Sequence, residues 1–92
     1  MSYIIDFTDS ALKDIQDLKK SGEKSVLKKI DSLINELEEH PYTGTGKPKP
    51  LKGNLDGHWS RRINQKHRLV YQVDDMKIIV LIISASGHYN DK

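Results

Sequence analysis

Residues 59–86 read WSRRINQKHRLVYQVDDMKIIVLIISAS, and the spacing inside this stretch decides what kind of fold the chain adopts. Trp59 to Ile63, His67 to Val73 and Lys77 to Ser86 carry the β-branched and aromatic residues typical of strands, separated by short polar runs. Connections this short join antiparallel neighbours, so the three segments read as a meander. The run from Ile78 to Ile83 lacks polar alternation, which predicts a strand covered on both faces and therefore inside the sheet. One face can take helices. The other must meet a loop, a second subunit or a binding partner.

The helices lie upstream. Tyr3, Ile5 and Phe7 alternate with Ile4 and Asp6, a period of two that suits a short first strand. Thr8 and Asp9 then offer an oxygen cap, and Ala11, Leu12, Ile15 and Leu18 recur at helical spacing until Ser21 and Gly22. Val26, Leu27, Ile30, Leu33, Ile34 and Leu37 form a second, cleaner stripe. Pro41 ends that helix at His40 or just before, because the proline ring disfavours helical angles in its predecessor. Two heptads are too few for an independent coiled coil, so the helices form a hairpin over the sheet. The expected fold is α+β: two N-terminal helices packed on a twisted antiparallel sheet of about four strands, in a single domain over residues 1–92. From Pro41 to Pro50 the chain holds two Gly and three Pro and reads as a loop stiffened by fixed proline φ angles.

Composition narrows the function. Leu, Ile, Val and Phe supply 24 of the 92 residues, above the roughly 20% below which disorder sets in. The core is nevertheless lean, and a chain this short favours a partner. There is no Cys, hence no disulfide framework or thiolate metal site. The absence of a signal-peptide pattern and of a long apolar span predicts a soluble, cytoplasmic protein without membrane association. The net charge of +2 conceals a division: residues 1–40 hold six Lys against nine acids, and residues 41–92 hold nine Lys and Arg against four acids. The excess concentrates in Lys47, Lys49, Lys52, Arg61, Arg62, Lys66 and Arg68, which face only Asp56. Such a segment is either a solvated surface or a contact for phosphate or RNA.

Within it, register is informative. A three-residue loop at Asn64, Gln65 and Lys66 pairs Ile63 with His67 and sets Arg62 directly opposite Arg68 on one face; a two-residue loop would change the parity. Like charges so opposed destabilise a sheet, and a bound phosphate would relieve them. Arg61 would point to the other face, in a structural role. After the apolar strand comes Ser84-Ala85-Ser86-Gly87-His88-Tyr89, which reads as an exposed tail or as an imidazole and a phenol able to donate a proton and stack on a base. His40, His58 and His67 lack metal-ligand spacing, so neither metal nor cofactor is expected. Nucleophile-elbow, phosphate-loop and dinucleotide patterns are also missing.

Taken together, Gly46-Lys47-Pro48-x-Pro50-Leu51-Lys52, Gly57-x-Trp59-Ser60-Arg61-Arg62-Ile63, His67-Arg68-Leu69-Val70-Tyr71 and the terminal His88-Tyr89 resemble the YoeB/Txe toxins of the RelE/ParE superfamily. The resemblance implies a microbial RNase-type fold. It also implies a metal-independent endoribonuclease that cleaves translated mRNA in the ribosomal A site, a homodimer, and neutralisation by a YefM/Axe-like antitoxin. Carried over by position, Arg68 stabilises the transition-state phosphate, and Arg62, Lys52 and Lys47 hold substrate. His88 protonates the leaving 5′ oxygen and Tyr89 orients the substrate beside it.

Lys49 departs from this pattern, since the resembled family has Glu between the two prolines as general base. Three readings follow: a lysine base freed by its cationic neighbours, a slower enzyme relying on positioning and electrostatics, or an inactive variant. Non-catalytic alternatives are a ParE-like toxin and a ribosome-binding or RNA-binding module with impaired chemistry. The His88-Tyr89 tail favours the nuclease over the ParE-like reading.

Overall fold

The computed structural model describes residues 2–44, 46, 48–51 and 57–84, with the last three of these described by backbone alone. In chain order the elements are β1 (Ile4–Phe7), α1 (Asp9–Lys20), α2 (Lys24–Leu37), β2 (Lys49–Pro50), β3 (His58–Arg62), β4 (His67–Asp74) and β5 (Lys77–Ser84). The strands form one sheet in the order β1-β5-β4-β3-β2.

The start of α1 and the ends of both helices follow their sequences. The Thr8 hydroxyl accepts from the Ala11 N–H at 3.1 Å and donates to the Leu81 carbonyl at 2.8 Å, so the cap of α1 also fastens it to β5. At the far end Gly22, at φ +76°, closes a Schellman turn: its N–H reaches the Lys19 carbonyl, and the Glu23 N–H reaches that of Leu18. The chain reverses there into α2. The second helix closes on a tight final turn in which the N–H groups of Glu39 and His40 both donate to the Glu36 carbonyl, ahead of the buried Pro41.

Ala11 and Leu18 of α1 and Val26, Ile30, Leu33 and Leu37 of α2 pack on Leu69, Tyr71, Ile78 and Val80 of the sheet. At about 1.5–3 kcal/mol for each large apolar side chain buried, this shared layer is the main force joining helices to sheet. β5 lies inside the sheet, as its apolar run predicts; Ile78 and Val80 are fully buried, whereas Ile79 and Leu81 are half-buried. Among the described residues no helix is long and apolar enough to cross a membrane.

The sheet departs from the antiparallel four-strand expectation in two respects. β1 runs parallel to β5, with Ile5 beside Ile78 and Phe7 beside Val80. A two-residue strand, β2, pairs antiparallel with β3 inside the segment read as a loop. The alternation of β1 fixes which side chains face inward but carries no information about strand direction. Two residues, one of them a proline, are too short to show any period. The final strand reading extended to Ser86, whose last two residues lie outside the described ones.

Candidate functional site

Register assembles the site. The Ile63 N–H donates to the His67 carbonyl at 3.0 Å, and the Asn64 side-chain oxygen accepts from the N–H groups of Lys66 and His67 at 2.8 Å each. Asn64 thereby organises a three-residue loop, and Arg62 stands directly opposite Arg68. Directly opposed residues share a face of the sheet. Lys49 pairs with Ser60, which pairs with Val70. Since Ser60 and Arg62 are two apart on β3, Lys49 lies on the same face as the arginine pair, diagonal to Arg62. Diagonal neighbours of this kind are about 7–8 Å apart.

Arg62 and Lys49 are exposed and Arg68 is half-buried. None of the register partners around them, Ser60 and Val70 included, is acidic. Three cations therefore project from the face opposite the helices. An anion placed between Arg62 and Arg68 would offset their repulsion and accept hydrogen bonds from two guanidinium forks.

The other face of the same strand is built differently. Arg61 is fully buried. Its Nη1 donates to Glu36 Oε1 at 2.9 Å, its Nη2 to the carbonyls of His40 and Thr43, the latter at 2.6 Å, and its Nε to the Tyr71 hydroxyl at 3.3 Å. The Tyr71 hydroxyl in turn donates to the Pro41 carbonyl. Burial pushes the Tyr71 phenol up from its ordinary value, with the Arg61 hydrogen bond and charge acting against that rise. A phenol held protonated is what donation to a carbonyl needs.

Gly46 lies against the backbone of β3. The Gly46 carbonyl accepts the Arg62 N–H at 2.8 Å, and a Cβ on Gly46 would lie 2.8 Å from the Arg62 carbonyl oxygen. Only glycine fits there, and the residue sits at φ +85°. Further along, Tyr42 tilts against Trp59 with ring centroids 5.0 Å apart, and Trp59 is the register partner of Pro50.

Of the residues predicted for the site, Lys49, Arg62 and Arg68 share one face. Lys47, Lys52, His88 and Tyr89 lie outside the described residues. Arg61 takes the structural place expected of it, but nothing in the sequence marked Glu36 and Tyr71 as its partners. They lie 25 and 10 residues away, beyond any local pattern. Among the described residues no cluster of His, Asp or Glu could hold a metal ion.

Known proteins share this chain's sequence and fold. A family model described as the YoeB-like toxin of bacterial type II toxin–antitoxin systems matches residues 7–89. Toxin YoeB of Streptomyces coelicolor is 44% identical over 85 residues, covering 92% of this chain and 98% of the relative. The mRNA interferase toxin RelE of Escherichia coli is 32% identical over 84 residues, covering 91% and 81%. Staphylococcus aureus YoeB, solved as a dimer, superposes with a TM-score of 0.83 at 38% identity, covering 97% of this chain and all of that one. Its complex with YefM superposes at a TM-score of 0.81 over the same shares.

Proposed function

This chain belongs to the YoeB-like toxins of bacterial type II toxin–antitoxin systems, and from that premise we propose that it is an mRNA interferase that cleaves translated mRNA in the ribosomal A site. The observation that carries the reading is the opposition of Arg62 and Arg68 on the sheet face that also bears Lys49. Two like charges held side by side at the edge of a small domain are unfavourable until an anion sits between them. The polyanion that the mRNA interferase relative acts on supplies one at every nucleotide.

The reaction is an internal transfer. The 2′ hydroxyl attacks its own 3′ phosphate, the bond to the 5′ oxygen breaks, and the products are a 2′,3′-cyclic phosphate and a 5′ hydroxyl. Arg62 and Arg68 hold the non-bridging oxygens as charge builds on the phosphorane, with Lys52 and Lys47 extending the grip along the backbone. Electrostatic stabilisation of this kind is typically worth a factor of 10² to 10³ per donor. His88 gives its proton to the departing 5′ oxygen and Tyr89 orients the nucleotide beside it. Lys49, acting as the neutral amine, takes the 2′ hydroxyl proton in the place where the family's Glu would and becomes the ammonium. These side chains neutralise the developing charge without a metal ion.

The protein works in the cytoplasm, where translated mRNA is found. It acts as a homodimer and is silenced by a YefM/Axe-like antitoxin, in the pattern of the Staphylococcus aureus relative solved as a dimer and with YefM. The basic segment suits an acidic antitoxin segment that folds on contact.

Primer extension on translating ribosomes tests the reading. Wild type leaves cut mRNA, and Arg62→Ala and His88→Ala each lower the rate by about 10² or more. Full-length mRNA with wild type would remove the nuclease reading in favour of a non-catalytic toxin. In the same assay Lys49→Glu slows cleavage if the lysine is the working base, and speeds it if the lysine attenuates the site.

A further inference from the structure

β2 is the weakest element of the sheet and carries Lys49. It comprises two residues, Lys49 and Pro50, and Pro50 has no N–H to contribute to a ladder. Beyond these register pairs its attachment includes the Leu51 N–H to the His58 carbonyl at 2.9 Å. Its own pairing is too short to fix where Lys49 stands, so the approach to β2 must help to fix it.

That approach is held by the buried cluster on the helix side of β3. Arg61 and Tyr71 together take the carbonyls of His40, Pro41 and Thr43, and Glu36, near the end of α2, completes the Arg61 fork. Three of four consecutive loop residues thus point their carbonyls at one buried point. From there the chain needs only to reach Gly46, whose carbonyl accepts from Arg62 itself.

Stability alone does not call for such a device. A buried charge carries a desolvation penalty, and well-packed apolar side chains of similar volume often serve as well or better. What a guanidinium adds is direction, a planar fork that fixes several acceptors relative to one another. Arg61 and Arg62 are also consecutive on β3, so the clamp on the loop and the phosphate-facing side chain are set by the same stretch of backbone.

We infer that Arg61, with Glu36 and Tyr71, is a positioning residue that sets the Lys49 strand against Arg62 and Arg68, so that the cleavage rate depends on side chains that never touch RNA. This rests on the nuclease reading above for its rate, but not for its geometry.

The test compares full-length wild type with Tyr71→Phe, which removes the bond to Pro41 at almost constant volume, and Arg61→Lys, which keeps the charge and loses the fork. Two quantities are measured: the ribosome-dependent cleavage rate per folded molecule, and amide hydrogen exchange residue by residue. The expected result for both variants is kcat down about tenfold or more with KM within about twofold, since misplacement by 1 Å can cost about 10². Exchange at the amides of Arg62 and Leu51 quickens up to about tenfold relative to the amides of the β4–β5 ladder, the scale of one lost hydrogen bond acting on local opening. A merely structural role would loosen all of these amides together.

Wild-type exchange at Arg62 and Leu51, uniform loosening, or loosened amides with a wild-type rate would each overturn the inference. If Arg61→Lys does not fold, Tyr71→Phe decides alone. If wild type itself leaves mRNA intact, the nuclease reading fails and the exchange arm judges the clamp: selective loosening supports it, and uniform or absent loosening overturns it.

Discussion

Arg61 and Arg62 are neighbours of identical chemistry on one strand, yet one is fully buried among helix and loop acceptors and the other is exposed opposite Arg68. The difference follows from the strand itself, because successive side chains point to opposite faces. One face of β3 turns a guanidinium into a fastening for the loop that leads to Lys49. The other presents the same group to an anion. A count of positive charge along residues 47–68 places both arginines in one basic segment, whereas the sheet assigns them opposite tasks: Arg61 is satisfied inside the protein, and Arg62 has another cation as its register partner.

The contrast breaks most directly in a pair of stability measurements. Arg61→Met removes the donor that Arg61 gives to the Glu36 carboxylate, the carbonyls of His40 and Thr43, and the Tyr71 hydroxyl. Removing one member of a buried ion pair costs about 3–5 kcal/mol, and because the Glu36 side chain is 31% exposed the low end, about 3 kcal/mol, applies. Arg62→Met changes stability by about 0.5 kcal/mol or less, as surface substitutions usually do. Urea midpoints of the two variants check this, and similar losses in both would erase the distinction between the faces.

Tyr71 gives a smaller effect with a defined pH signature. Its phenol is raised in the folded state by burial, so the native protein binds that proton more tightly than the unfolded chain does. The stability that the neutral phenol contributes is fully present below the ordinary tyrosine value near 10 and is lost as pH rises through the raised one. Each pH unit between the two values corresponds to about 1.4 kcal/mol. Wild type should therefore lose stability more steeply above pH 10 than Tyr71→Phe. Parallel curves for the two proteins would show that the buried hydroxyl is not linked to folding.

How much of this was legible beforehand follows from the range over which each feature is encoded. The arginine opposition was written in the loop: Asn64, Gln65 and Lys66 set the parity, and the structure keeps it. The two helices and the interior place of β5 follow from local periodicity, and Thr8, Gly22 and Pro41 punctuate the chain where expected. By contrast, the parallel pairing of β1 with β5 brings Ile5 to Ile78 across most of the chain, and no local pattern encodes a direction at that distance. β2 escaped because two residues have no period. The partners of Arg61 escaped for a third reason. An arginine bound to backbone carbonyls leaves no complementary residue type to look for, since the carbonyls of His40, Pro41 and Thr43 belong to any sequence that follows the same path.

The smallest effect concerns the exposed pair alone. If Arg62 and Arg68 repel across the strands in the free protein, Arg62→Gln, which keeps the length and polarity of the side chain, should stabilise it. The gain should be about 0.2–0.5 kcal/mol, the lower part of the usual range for a cross-strand pair. The effect should shrink as salt rises, because the Debye length falls from about 10 Å at 0.1 M to about 3 Å at 1 M. Inorganic phosphate should stabilise wild type and leave Arg62→Gln nearly unchanged, since only wild type offers two opposed guanidinium forks. Thermal unfolding of both proteins in chloride and in phosphate measures all of these. A phosphate response shared equally by the two would mean that the anion acts generally on the protein surface and that the opposed arginines do not form its site.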